Sequence, residues 1–178
     1  MESDFTNALH HVLECEKGFQ NDPRDEGNRL PDGRRGCTTL GVTQAVWESY
    51  VGHKVSTADM RALTPAKVAP LYKHKYWDVV NGDNLPSGVD YIIFDFAVNA
   101  GVGRAVKLLQ TIVNVPSDGI IGAITLDAVK SKVGLDIIKE YTEAKKDFYR
   151  GLKAFPIYGA GWLTRAANAE HTAKTLLG

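Results

Sequence analysis

The chain has 178 residues, of which 44% are hydrophobic and 24% charged, and its 21 basic and 21 acidic side chains leave no net charge. This composition is close to the globular average, so it argues against disordered, collagen-like and coiled-coil proteins, and the length favours one domain or one domain with two lobes. Two cysteines, Cys15 and Cys37, are too few for a disulfide scaffold or a four-cysteine metal site, and both are expected to stay reduced.

The first predicted element is an amphipathic helix over residues 3–17. Glu16 continues its apolar face, where loss of hydration disfavours the charged form of a carboxylate and makes it suitable as a general acid. The alternative is a helix-end acid paired with Lys17 or another cation. The apolar positions recur at intervals of three and four: Phe5, Ala8, Leu9, Val12 and Leu13.

A polar loop over residues 18–41 follows this helix and contains a second carboxylate, Asp25, which is expected to stay ionised. Cleavage of a glycosidic bond generally requires two carboxyl groups in contrasting environments. The Asp32-Gly33 dipeptide predicts a short hairpin between Arg24 and Gly41.

After the loop, most segments have helix-forming patterns, and few have strand-forming patterns. A strongly apolar helix from Ser87 to Gly101 is predicted to be central to the core. Capping signals predict three helices before it, which begin at Thr43, at Ser56 with Asp59, and at Thr64 with Pro65. Further helices are predicted over residues 103–113, 124–133 and 135–152, with a last one after Gly161 and Trp162. The expected fold is mainly α and helical-bundle-like, with a small β-hairpin.

Several motifs occur in a fixed order along the chain. They include Glu16-Lys17-Gly18-Phe19, Asn21-Asp22-Pro23-Arg24-Asp25-Glu26-Gly27, Gly36-Cys37-Thr38-Thr39-Leu40-Gly41-Val42-Thr43, Tyr76-Trp77-Asp78 and Phe94-Asp95-Phe96-Ala97-Val98-Asn99-Ala100-Gly101. Together they resemble the signature of glycoside hydrolase family 108, whose members are phage endolysins and related muramidases. Leu109-Gln110 with residues 118–125 resembles the peptidoglycan-binding segment of these proteins.

The sequence departs from the family pattern at two places. Lys17 and Phe19 stand where the pattern has Gly and Tyr, and neither change touches the Glu16 carboxylate. About eight extra residues, near positions 28–35, lengthen the stretch between Asp25 and Thr38. This insertion is expected to form a longer hairpin at the rim of the active-site cleft.

The resemblance implies a lysozyme-like fold that cleaves the β-1,4 bond between N-acetylmuramic acid and N-acetylglucosamine. It implies that Glu16 protonates the leaving oxygen, that Asp25 orients water or stabilises positive charge, and that Thr38 helps to hold the water. Asp25 has an alternative role as a turn residue that caps its own backbone. Thr39 competes with Thr38 for the same role.

Further residues are candidates for contacts with substrate, and most of them have a structural alternative. Asp22 precedes a proline and fits a turn, Asp95 fits a hydrogen-bonded anchor inside the core, and aromatic side chains at helical spacing are often core. The candidates are Asp22, Thr39, Tyr76, Trp77, Asp95 and Asn99. The five histidines lack metal-ligand spacing, so neither a metal nor another cofactor is expected.

Residues 1–90 are predicted to form a catalytic lobe and residues 91–178 a helical lobe with the peptidoglycan-binding-like segment. The first holds 10 basic and 13 acidic side chains and the second 11 and 8, an offset too small to indicate nucleic-acid binding. Without a signal peptide or a membrane-length apolar run, the protein is expected in the host bacterial cytoplasm, with no stable membrane insertion. It is also expected to be a monomer. The resemblance implies that it reaches the periplasm and cell wall after a holin-type protein opens the membrane.

Two other functions compete with hydrolysis. A lytic transglycosylase would cleave the same bond with the same acid but without water. A non-catalytic protein that binds the wall or assists secretion would need neither carboxylate. Product analysis separates the first from a hydrolase, and substitution of Glu16 separates the second.

Overall fold

A computed structural model describes residues 2–16 and 18–178, with the side chains of Glu2 and Ser3 left out. Most of these residues are helical. The helices are α1 (Glu2–Cys15), α2 (Gln44–Val51), α3 (Thr57–Arg61), α4 (Pro65–Tyr72), α5 (Val89–Ala100), α6 (Val102–Ile112), α7 (Ala123–Lys130), α8 (Gly134–Arg150) and α9 (Phe155–Leu177). The antiparallel strands β1 (Thr38–Thr39) and β2 (Val42–Thr43) form a two-stranded sheet. The predicted mainly-α, lysozyme-like class is confirmed.

Contacts between residues divide the chain into two compact units. The loop-rich unit is Leu9–Lys73, and the helical unit comprises residues 2–8 and His74–Gly178. The lobes inferred from sequence are divided after residue 90 instead. Their assignment as a catalytic lobe and a peptidoglycan-binding lobe stays a prediction.

Helix α5 forms the centre of the helical unit, as its apolar sequence predicts. Ile92, Ile93, Phe94 and Phe96 are fully buried, and α5 contacts α6, α8 and α9. The helix begins after Gly88, where a Cβ would lie 2.3 Å from the backbone oxygen of Ala173 in α9. This close backbone packing requires glycine.

A buried ion cluster joins three helices of the helical unit. Asp95 of α5 bonds to Lys145 of α8, and its other oxygen accepts from Arg165 Nη2 of α9 at 3.1 Å. Asp95 and Lys145 have no exposed surface. Burial alone raises the pKa of Asp95, but the charges of Lys145 and Arg165 outweigh it and hold the pKa below its usual value. Loss of the Asp95 carboxylate would leave the buried Lys145 ammonium without its counter-charge.

The helices of the loop-rich unit begin at the predicted capping residues. Thr43 Oγ1 accepts from Val46 N at 3.3 Å at the start of α2. Ser56 and Asp59 form a reciprocal capping box at α3. Thr64 Oγ1 accepts from the α4 backbone, where Pro65 occupies the first turn.

The extra residues between Asp25 and Thr38 form the predicted hairpin. Arg29 and Arg35 pair as an antiparallel bridge, and Gly33 takes a φ of 85° in the turn. Arg34 anchors the hairpin to α2, because its Nη2 donates to Glu48 Oε2 at 2.8 Å. The same hydrogen bond holds the pKa of Glu48 below its usual value.

The start of α9 differs from the prediction. The helix begins at Phe155, whereas the sequence predicted a start after Gly161 and Trp162. Pro156 in the first turn favours helix initiation. Gly159 does not break the helix, because it packs against the Phe155 ring, where a Cβ would lie 2.6 Å from Cδ2.

Asp90 generates a prediction about how stability depends on pH. Its carboxyl group is buried at the start of α5, and burial raises its pKa from 3.8 to about 6, although Tyr91 N donates to it. Below pH 3.8 the group is neutral in both folded and unfolded states. As the pH rises above 3.8, the unfolded state releases this proton while the folded state still holds it. The contribution of Asp90 to stability is therefore lost as the pH rises through 6.

Asp90→Asn removes the titrating group. We therefore expect the free energy of unfolding of the variant minus that of the parent to increase by up to about 3 kcal/mol between pH 4 and pH 8. Urea unfolding followed by circular dichroism at each pH measures it. Asp127→Asn, at an exposed position of α7, is the control. A difference between Asp90→Asn and the parent that is constant with pH would contradict the account.

Candidate active site

Glu16 is the first residue after α1. Its backbone N–H donates to Leu13 O at 3.2 Å and closes the last turn. Val12 and Leu13 are buried, whereas Glu16 is half-buried. The helix is shorter than predicted, and it leaves the carboxylate at the border between core and solvent. Lys17, the cation named in the alternative, lies outside the described residues.

The turn between β1 and β2 lies directly against the Glu16 carboxylate. Leu40 and Gly41 both have left-handed backbone, with φ of 50° and 73°, as a two-residue type I′ hairpin turn requires. A Cβ built on Gly41 would lie 2.9 Å from Glu16 Oε2 and 2.7 Å from Tyr72 Oη. Position 41 therefore favours glycine for two reasons: its backbone is left-handed, and there is no space for a side chain.

Tyr72 of α4 fixes this turn. Its side chain is buried, and its Oη donates to Leu40 O at 2.8 Å. Because the acceptor belongs to the turn itself, this bond holds Gly41 beside Glu16. The sequence does not predict this role of Tyr72, because Tyr72 lies 32 residues from Leu40 along the chain and no local pattern marks the contact.

Asp25 has the capping geometry that its structural alternative predicted. It precedes a 3₁₀ turn, Glu26–Asn28, and its Oδ1 accepts from Gly27 N at 2.8 Å. Its Oδ2 accepts from Gln20 Nε2 at 2.7 Å. The side chain is exposed, so both oxygens keep lone pairs that can accept from water.

Thr38 is connected to Asp25 through two amide side chains. Thr38 Oγ1 donates to Asn28 Oδ1 at 2.9 Å, and Asn28 Nδ2 donates to Gln20 Oε1 at 2.8 Å. The backbones of Thr38 and Gln20 also exchange two hydrogen bonds, of 2.8 and 2.9 Å. We call Asp25, Gln20, Asn28 and Thr38 the amide network. The sequence does not predict a role for either amide, because each lies in a loop without periodicity.

Thr39 lies on the other face of β1, since side chains alternate along a strand. It is buried, and within residues 2–16 and 18–178 its Oγ1 has no hydrogen-bond partner. Thr38, and not Thr39, therefore supplies the hydroxyl of the amide network.

Asp22 forms a turn with Arg24. Its carboxylate accepts from Arg24 N at 2.9 Å and from Arg24 Nη2 at 2.7 Å. The Arg24 side chain lowers the pKa of Asp22 to about 2. This geometry matches the turn-forming alternative for Asp22.

The other candidate residues belong to the helical unit and differ in exposure. Trp77 is fully buried, and its Nε1 donates to Asp83 Oδ1 at 2.8 Å. Asp95 is also fully buried, in the ion cluster, so neither side chain presents surface to a substrate in this structure. Tyr76 is half-buried. Asn99 is exposed, and its Oδ1 accepts from Tyr149 Oη at 2.7 Å.

Three further features concern the described part of the chain: clusters of metal-ligating side chains, long apolar helices and the two cysteines. There, no cluster of three or more His, Cys, Asp or Glu side chains could hold a metal ion. No helix in the same ranges is both long enough and apolar enough to cross a membrane. Cys15 is exposed, Cys37 is buried, and no disulfide joins them.

Comparison with known proteins agrees with the motif order in the sequence. The profile of the family described as Glycosyl hydrolase 108 matches residues 9–101. The solved structure of SagA from Brucella abortus is 38% identical to this chain, covers 99% of it and 97% of its own chain, and has a TM-score of 0.83. No curated protein matches the chain.

The amide network should also stabilise the loop. Asn28 is only 2% exposed, and its replacement leaves the Gln20 and Thr38 side chains without their shared partner. We expect Asn28→Ala to lower the free energy of unfolding by about 1–3 kcal/mol. Urea denaturation measures the change. Asn168→Ala, at an exposed position of α9, is the control, and an equal loss for both variants would contradict a structural role for the network.

Proposed function

Because this chain belongs to glycosyl hydrolase family 108 and is a glycoside hydrolase, we propose that it hydrolyses the β-1,4 bond between N-acetylmuramic acid and N-acetylglucosamine. The family supports bacterial peptidoglycan as the substrate. The observation that carries the residue-level proposal is the placement of the Glu16 carboxylate against Gly41.

Glu16 acts as the general acid. Cleavage of a glycosidic bond requires a proton on the leaving oxygen, because the sugar would otherwise depart as an alkoxide. A carboxyl group at the border between core and solvent can reach a bound substrate and transfer a proton to it. The Leu40–Gly41 turn and Tyr72 restrict where this carboxyl group can lie, which reduces the cost of aligning it in the transition state.

Asp25 and Thr38 position the attacking water. Thr38 Oγ1 uses its hydrogen to bond Asn28, so it can only accept from a water molecule. Asp25 is likewise an acceptor when ionised. A water that donates one hydrogen to each presents its oxygen lone pair to the anomeric carbon. Asp25 takes the proton as the new bond forms, or stabilises the positive charge of the oxocarbenium-like transition state.

The amide network favours hydrolysis over the transglycosylase alternative. A lytic transglycosylase closes the muramic acid ring on itself and needs no positioned water. Two acceptors connected through Gln20 and Asn28 are suited to hold a water nucleophile, and this supports hydrolysis. A wall-binding protein without activity would need neither these acceptors nor Glu16.

We further propose that the protein works as a monomeric endolysin. It accumulates in the host bacterial cytoplasm and acts on the cell wall after a separate, holin-type protein has opened the membrane. The observation behind this part of the proposal is the family resemblance alone. Lysis by the purified protein of permeabilised but not of intact cells is the expected result.

Substitution of Glu16 tests the proposed acid. Glu16→Gln keeps the shape of the side chain and removes the transferable proton. General acids contribute about 10²–10⁴-fold to a rate, so we expect at least a 100-fold slower release of reducing ends from purified peptidoglycan. Glu14→Gln, at an exposed position of α1, should keep full activity. Unchanged activity of Glu16→Gln, in digests or on permeabilised cells, would remove Glu16 as the acid.

The products of the parent enzyme distinguish the two cleavage reactions. Hydrolysis leaves a reducing muramic acid end, whereas transglycosylation leaves a 1,6-anhydromuramic end. Mass spectrometry of the digest separates them by the mass of one water. We expect reducing ends, and predominance of the anhydro product would overturn the hydrolase assignment.

A further inference from the structure

Two neighbouring cavities open on the helical unit. Their volumes are about 490 and 200 Å³. Arg104 of α6 and Phe148 of α8 line both of them. The guanidinium carbon of Arg104 lies 4.6 Å from the centroid of the Phe148 ring, which is within cation–π distance. Because this stacked pair is a shared wall, we treat the two cavities as one surface and call it the Arg104 groove.

The loop after α6 forms another wall of the groove, and Gln110 holds it in place. Gln110 is buried, its Nε2 donates to Asp118 Oδ1 at 2.7 Å, and its Oε1 accepts from Gly119 N at 2.9 Å. Nε2 also lies 3.2 Å from Thr125 Oγ1. These residues belong to the segment that resembles a peptidoglycan-binding motif, yet their polar atoms bond to one another. The motif residues therefore stabilise the conformation of the loop, and a ligand would contact the surface of the loop.

Ser117 is the loop residue that lines the groove. Its Oγ lies 3.3 Å from Thr111 Oγ1 and 3.5 Å from Lys107 O, both on α6. Gly119, with a φ of 85°, packs on the Lys107 stem, since a Cβ there would lie 3.4 Å from Lys107 Cε. Two hydroxyl groups and one lysine thus share this end of the groove.

The groove is positively charged. Arg104 and Lys107 lie three residues apart, on one face of α6, and no carboxylate is among the residues that line either cavity. Arg104 Nη1 donates to Ala100 O at 2.6 Å, and the other nitrogens of the guanidinium remain for a ligand. Neither cation forms an ion pair with a carboxylate of the described chain. An anion between them would relieve their repulsion.

We propose that the Arg104 groove binds a free carboxylate of the peptidoglycan stem peptide. Arg104 offers the planar pair of donors that matches a carboxylate, and Lys107 adds a second charge. Phe148 and Trp162 supply apolar faces for the aliphatic part of the peptide. The proposal rests on peptidoglycan as the substrate, and it assigns the helical unit a contact with the peptide instead of the glycan.

Calorimetric titration of the full-length protein tests the proposal. The probes are the disaccharide N-acetylglucosaminyl-N-acetylmuramic acid with its tetrapeptide and the same disaccharide without peptide, its lactyl carboxyl group converted to the amide so that it carries no carboxylate. Neither contains the bond that the proposed activity cleaves, so binding is measured without turnover. Arg104→Gln combined with Lys107→Gln removes both cations. Lys130→Gln combined with Lys139→Gln removes the same charge from exposed positions of α7 and α8.

We expect the Arg104 and Lys107 pair of substitutions to weaken tetrapeptide binding at least 10-fold and to leave binding of the peptide-free disaccharide unchanged. The control pair should bind like the parent. Equal affinity of the two double variants for the tetrapeptide compound, or an equal loss for the peptide-free disaccharide, would overturn the proposal. Competition by inorganic phosphate at the same concentration as the tetrapeptide would assign the groove to a phosphate-bearing polymer instead. Failure of the muramidase proposal would appear in the Glu16→Gln digests, independently of these titrations.

Discussion

The contact between Gly41 and the Glu16 carboxylate is the constraint on which the proposed chemistry depends. A glycosidase acid must be held in one place, and Glu16 follows the end of a helix, where a long side chain has several rotamers. The turn limits that freedom, since the Glu16 carboxylate lies against its backbone, in the space that a Cβ at position 41 would fill. Tyr72 makes the restriction effective, because its hydrogen bond to Leu40 holds the turn in place. Three separate segments of the loop-rich unit thus define the position of one carboxyl group.

The amide network contains the residues proposed for the second half of the reaction, and it belongs to the same unit. Gln20 and Asn28 each donate and accept a hydrogen bond, so they connect the Asp25 carboxyl group to the Thr38 hydroxyl group. The inserted hairpin contributes to this arrangement, because Asn28 lies at its base and Arg34 ties it to α2. Asp25 is both a turn residue and a candidate for catalysis. The two roles are compatible, since capping fixes the carboxylate and leaves it exposed to water.

Much of the fold follows from local patterns, and the parts that do not follow depend on contacts between distant segments. The capping box of Ser56 and Asp59 and the apolar α5 could be predicted because the signal lies within a few residues. The predicted start of α9 was wrong for a local reason instead: Gly159 and Gly161 have low helix propensity, but Gly159 packs on the Phe155 ring of the same helix. At the site, Glu16 is marked by helical periodicity and by its motif. Tyr72 and Asn28 are marked by neither, since their roles arise from pairing across turns and loops.

The most direct test of the central claim compares two glycine substitutions. Gly41 and Gly52 have similar left-handed backbone, with φ of 73° and 78°, but an added Cβ at Gly52 meets no atom within 4 Å. Gly41→Ala and Gly52→Ala should therefore cost about 1–2 kcal/mol each from backbone strain, and both should remain folded. We predict that kcat on peptidoglycan falls at least 10-fold for Gly41→Ala, because its methyl group displaces the Glu16 carboxylate, and is retained by Gly52→Ala. Equal kcat values for the two folded variants would contradict the claim that this turn positions the catalytic acid.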